Sequence, residues 1–191
     1  MLKYKTRVVT EPTTEPVTVE EAKRNADIDD LYFNADVLRW ITRARKQVEH
    51  DARISLITQT RELRCDQFSG DFIELPFPPL VSVSTLEYVD SNGDTQTWSS
   101  GNYDVDTYLT PGVIRLPYSN SGWPSTQGGY DNVIVTYVAG FGAASAVPEA
   151  AKDAIMLLVR SYFDLDMERE PLGFDLSYNA LIAQLGEGSY P

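Results

Sequence analysis

The chain has 191 residues, which suits one domain or one domain carrying a large insertion. Acids outnumber bases 28 to 16, a net charge of −12, so the surface repels a phosphate backbone and argues against gripping nucleic acid. Cys65 is the single cysteine, which excludes an internal disulfide, and the apolar content of 42 % is enough for a packed core.

Residues 1–17 are rich in Thr, Pro and Glu and read as an extended arm that is ordered only if a partner holds it. They contain no apolar stretch of signal-peptide length. The apolar run at Ala154–Val159 is far too short to span a bilayer, so no membrane is expected and the reading is a soluble protein of a reducing compartment. Thr18-Val19-Glu20-Glu21 fits a capping box and predicts a short helix over Val19–Asn25. A longer helix follows over about Leu31–Asp51, its apolar stripe made by Val37, Leu38, Ile41, Ala44 and Val48. Arg39, Arg43 and Lys46 share another face of that helix at three-and-four spacing. Residues 36–53 are locally basic, five bases to three acids, inside an acidic protein.

From Ile54 to Tyr137 the pattern turns to β. Candidate strands are Leu56–Cys65, Phe72–Leu75, Val81–Asp90, Thr95–Trp98, Tyr103–Thr107, Gly112–Leu116 and Val133–Val138. Ser91-Asn92-Gly93-Asp94 is a tight-hairpin signal, because Asn-Gly accepts positive φ. Pro76, Pro78 and Pro79 form a stiff connector that cannot continue a sheet interior. Ser119–Gly129 is a Gly/Ser-rich loop carrying Trp123-Pro124.

The stretch Asn132–Asp164 organises the whole. Its β-branched strand runs through Gly140 and Gly142 to Pro148, which suits a first helical turn. Ile155, Leu158, Val159, Tyr162 and Phe163 then recur on one helix face, ending near Arg169 before Pro171 and Gly173. A last helical segment over Ser177–Leu185 carries Leu181, Ile182 and Leu185 on one side. The tail after it reads as mobile, and residues 149–191 are acidic, eight acids to three bases.

Two amphipathic helices need each other to bury their stripes. The fold class expected is therefore α+β. A small bundle of N- and C-terminal helices (18–55 and 146–186) carries an inserted antiparallel β subdomain (56–142), with the arm (1–17) and tail (187–191) at the ends. Leu38 and Ile41 should pack against Ile155, Leu158 and Tyr162.

No constellation carries chemistry. His50, the only histidine, sits near a charged helix end beside Glu49 and Asp51, where a solvated or capping role is the common one. Cys65 reads as a small buried hydrophobe. The Asp90–Asp94 loop has its glycine two positions too early for an EF-hand. Asp104 and Asp106 share a strand face, and Asp164, Asp166 and Glu168 cluster on a helix. Solvated carboxylates are commoner there than an acid/base pair or a divalent site. Gly140-Phe141-Gly142 lacks the Lys-Ser/Thr of a phosphate loop. Trp98, Trp123 and Tyr130 could line a sugar-binding face, and core anchoring explains them as well. No catalytic residue, no metal and no cofactor is expected, and the reading is not an enzyme.

Four pieces in order resemble a known family. They are Pro16-Val17-Thr18-Val19-Glu20-Glu21-Ala22-Lys23; Leu56-Ile57-Thr58-Gln59-Thr60 running into Glu62-Leu63-Arg64; Ile73-Glu74-Leu75-Pro76 with Pro78-Pro79-Leu80-Val81-Ser82-Val83; and Tyr137-Val138-Ala139-Gly140-Phe141-Gly142 leading to Val147-Pro148-Glu149. Together they resemble the head-tail connector (adaptor, or head-completion) proteins of tailed bacteriophages and related gene transfer particles, in the subgroup with a β insertion. The likeness spans about residues 15–185. It implies a virion structural protein assembled in the host cytoplasm. It also implies a homo-oligomeric ring, usually dodecameric, beneath the portal protein, docking the next neck or tail component and extending the DNA channel. DNA would pass without specific binding. The simplest members are almost wholly helical, so the β insertion is a departure. In that setting Arg39, Arg43 and Lys46 are candidates to meet acids of an adjacent subunit or the portal. Tyr178, Leu181, Leu185 and Tyr190 are candidates to order there as well. The other readings are a carbohydrate-binding β module of a tail component and a small hydrolase using the strand or helix acids.

Overall fold

A computed structural model describes residues 4–28, 34–118, 122–166 and 174–186. In chain order the elements are β1 (Tyr4–Thr10), α1 (Val19–Ala26), α2 (Asn34–Ala52), β2 (Gln59–Cys65), β3 (Phe72–Leu75), β4 (Leu80–Val89), β5 (Thr95–Thr97), β6 (Asp104–Asp106), β7 (Gly112–Arg115), β8 (Val133–Ala139), α3 (Glu149–Asp166) and α4 (Phe174–Gly186). The fold is α+β. The chain divides into two compact units: a β unit from the residues up to Glu11 with Thr58–Gly140, and a helical unit from Pro12–Ile57 with the residues from Phe141 onward.

The β unit holds a five-stranded antiparallel sheet in the order β1-β2-β8-β4-β5 and a three-stranded one in the order β3-β7-β6. β8 is central because its period-two pattern fits the pleat: Val133, Val135, Tyr137 and Ala139 are all buried. Leu63, Leu86, Val135 and Tyr137 of the large sheet share one core with Ile73, Leu75 and Ile114 of the small one. The hairpin between β4 and β5 closes as its sequence dictates. Gly93 takes φ 90, and the backbone N–H groups of Asn92 and Asp94 both donate to Asp90 Oδ1, at 2.8 and 3.1 Å. The Asn92 amide, first among these donors, holds the Asp90 carboxyl below its usual range. The loop's carboxylate is thus occupied by its own turn.

Gly112 of β7 lies directly against Leu80 of β4. A Cβ there would stand 2.5 Å from Leu80 Cβ and Cδ2, and the Leu80 Cβ cannot swing away. Gly112→Ala should therefore cost about 1–3 kcal/mol through overpacking, read by denaturant unfolding.

The N-terminal arm differs from expectation. Tyr4–Thr10 is a strand pairing antiparallel with β2, from Tyr4↔Cys65 to Thr10↔Thr60. Lys5 Nζ lies 3.0 Å from Asp131, and Arg7 Nε 2.9 Å from Glu62. Charged side chains on an edge strand read locally as a linker, and only partners far along the chain reveal the strand. The second half of the arm is held as well, since Pro16 and Val17 are buried.

The helical unit is built on α3. Thr18 caps α1 as its sequence predicts: Glu21 N donates to Thr18 Oγ1 at 3.1 Å, and Thr18 N to Glu21 Oε2 at 2.7 Å. Ile41, Ala44 and Val48 of α2, Ala22 and Ala26 of α1, Ala151, Ile155, Leu158 and Val159 of α3, and Tyr178 and Leu185 of α4 bury one another. Leu38 departs from expectation. It is 47 % exposed, while its neighbour Val37 takes the buried position. The expected break at Pro171 and Gly173 lies outside the described residues.

Candidate assembly surfaces

On α2 the expected basic face is present. Arg39, Arg43 and Lys46 are all exposed. With Leu38, Thr42 and Gln47 they line a shallow groove. Arg39 pairs with Asp36 one turn earlier. The Arg43 guanidinium sits 4.4 Å above the centre of the Tyr162 ring of α3. Burial pushes the half-buried Tyr162 hydroxyl upward, and the Arg43 charge opposes it.

The α4 candidates behave differently. Tyr178 and Leu185 are buried in the helical unit, and Leu181 packs on the same core. The Tyr178 and Leu185 side chains are used within the chain, while Leu181 is partly buried on the same core. Tyr190 lies outside the described residues. Sequence reading placed them at an interface because an isolated short helix cannot hold itself, and α2 and α3 already provide the partner.

Tyr178 Oη donates to Asp51 Oδ2 at 2.8 Å. Burial first, then the acceptor carboxylate, push the Tyr178 hydroxyl well up. Burial also pushes the Asp51 carboxyl upward, but donors from Gln47, His50 and Tyr178 outweigh it and leave it lowered. A lowered carboxyl contributes stability above its unfolded pKa and loses it as pH falls through the folded one. Tyr178→Phe should therefore cost about 1.5 kcal/mol at neutral pH, where the acceptor is charged, and the gap to the parent should narrow on acidification. Paired urea melts at the two pH values check it.

The residues weighed for other activities are largely occupied. Asp106 accepts from Arg115 Nη2 at 2.5 Å and from the Tyr108 and Leu109 amides. Asp164 faces Arg160 at 3.9 Å. The Asp166 side chain and Glu168 lie outside what is described. Trp123 stacks on Phe68 (4.9 Å, 5° between planes) and Trp98 packs edgewise on the same ring, so two of the three aromatic residues serve the β core. Tyr130 is exposed. Burial pushes the Cys65 thiol up to about 11, as befits an inert core residue. No group of three or more metal-ligating side chains occurs among the described residues, and no described helix is long and apolar enough to cross a membrane.

No protein-family model and no curated protein matches the chain. Solved structures do. A chain in the neck of an empty gene transfer agent (GTA) particle, computed with C6 symmetry, superposes with TM-score 0.79 at 22 % identity, covering 95 % of this chain and 94 % of that one. A chain in the neck of the native particle, computed with C12 symmetry, gives 0.76 at 22 % over 95 % and 94 %. One in the virion of the native particle gives 0.76 at 22 % over 94 % of each. This chain shares the fold of a GTA neck chain.

Within that GTA-neck fold the most deeply buried charge among the described residues escaped sequence reading. Arg45, 2 % exposed, donates from Nε to Glu15 Oε2 at 2.7 Å and from Nη1 to Glu49 Oε2 at 3.0 Å. Thr42 Oγ1 donates to Glu15 Oε1 at 2.8 Å, and Leu56 N to Glu49 Oε1 at 2.9 Å. The segment before α1, the middle of α2 and the segment after it are thereby tied together. The Arg45–Glu49 spacing of four was the only local signal. It removes Arg45 from the solvent-facing basic set, in which Arg39, Arg43 and Lys46 are exposed.

Proposed function

We propose that this protein is a virion structural protein of a neck, a head-tail adaptor that forms a ring under the portal. The observation that carries the reading is the likeness of nearly the whole chain, both units included, to chains of GTA necks. A dodecameric ring is supported by the neck computed with C12 symmetry. The resemblance of the sequence motifs to head-tail connectors supports the finer roles: contact with the portal above, contact with a neck or tail component below, and a lengthened DNA channel. The net charge of −12 suits a passage that DNA traverses without specific binding. The role is mechanical, with no reaction assigned.

The test is composition and position in the particle. Purified particles carrying an epitope-tagged copy should contain the protein at low copy number. Electron microscopy with a tag-specific antibody should place it at one vertex, between head and tail. Absence from particles, or label spread over the shell, would overturn the reading.

A further inference from the structure

The helical unit is electrically two-ended. At one end lies the α2 groove, where Arg39, Arg43 and Lys46 surround the exposed Leu38, with the acid Asp36 paired to Arg39 and Glu15 bonded to Thr42. At the other end are the first turns of α1 and α3. Glu20, Glu21, Glu149 and Asp153 are all exposed there. Lys152 and the exposed Arg24 lie within electrostatic reach of Glu21, and Lys152 bonds Glu149 at 2.7 Å, so the four acids outnumber the two bases there. Arg43 rests on Tyr162, near the far end of α3 from Glu149. At about 1.5 Å per residue the two ends stand roughly 20 Å apart, so one copy cannot bring its own ends together.

We propose that copies join head to tail, the basic α2 groove of one copy receiving the acidic α1–α3 end of the next. The inference rests on the ring reading above and names its interface. Unlike patches on one subunit make a heterologous contact, the kind that closes a ring when the rotation is right. A two-fold axis through either patch would set base against base or acid against acid, so the charge pattern disfavours a contact built on one patch alone. Leu38 supplies the apolar centre within a charged rim.

The test uses paired charge reversals and the assembled particle. Arg39→Glu/Lys46→Glu alters the groove and spares Arg43, which stacks on Tyr162. Glu20→Lys/Asp153→Lys alters the other end and spares Glu21, which caps α1. Each pair alone should cut incorporation about tenfold or more, and the four changes combined in one chain should restore most of it. Thermal melts of each purified variant show whether it folds. A second measurement does not depend on reversal: in particles carrying Leu38→Cys/Asp153→Cys, a short bis-maleimide should yield a ladder of linked copies. Cys65, buried and with a raised pKa, stays unlabelled in the native protein.

Folded single-end variants that incorporate normally would overturn the proposal. So would a combined variant no better than its parents, or particles with no ladder. Absence of the unaltered protein from particles would instead sink the ring reading itself.

Discussion

Arg45→Ala should destabilise the helical unit by about 3–5 kcal/mol, the range for removing one partner of a buried ion pair. The reason is what remains. Glu49 is itself buried, and without the guanidinium its carboxylate keeps the Leu56 amide but loses its charged partner in Arg45. Glu15 would retain Thr42 but lose its charged partner. The penalty is therefore an uncompensated charge more than a lost attraction. Glu49→Gln separates the two. It removes the stranded charge and leaves a side-chain oxygen for Leu56, so Arg45→Ala should cost markedly less in that background. A double-mutant cycle by urea unfolding measures the difference. Equal costs in both backgrounds would mean that Arg45 acts through Glu15 and packing and not through Glu49.

That network also shows where sequence reading stops. Local signals gave local structure. The Thr18–Glu21 box, the Asn92-Gly93 turn, the alternation of β8 and the Pro148 start of α3 are each written within a few residues, and each appears as expected. What escaped depends on partners far along the chain. Glu15 reaches Arg45 from 30 positions away, and β1 finds β2 from more than 50. Neither pairing has a periodicity to betray it. Tyr178 and Leu185 were legible as apolar, but whether they face a neighbour or their own core is decided by α2 and α3. The basic face could be found from spacing, because exposed charges on a helix need no partner to be placed. Its counterpart on α1 and α3 was not visible, since two short helix starts adjoin only once the bundle is assembled.

Leu38 and Ile41 make the sharpest contrast, being three residues apart on the same expected stripe. The pattern at 37, 38, 41, 44 and 48 admits either Val37 or Leu38 as its first buried member, and the packing chooses Val37. Ile41 is 0 % exposed among α2 and α3 side chains. Ile41→Ala should therefore cost about 2–5 kcal/mol, the transfer term plus the cavity left behind. For a chain of this length that lowers the melting midpoint by on the order of 10 °C. Leu38→Ala removes as much side chain from a surface already largely wet and should stay within about 0.5 kcal/mol of the parent. Calorimetry on the free protein reads both. In particles the order should reverse for the folded variants: Leu38→Ala, though as stable as the parent, should incorporate less well, because its apolar surface is buried only when a second copy arrives. A Leu38→Ala chain that is destabilised when free and normal in particles would assign the residue to the fold and leave the groove without its apolar anchor.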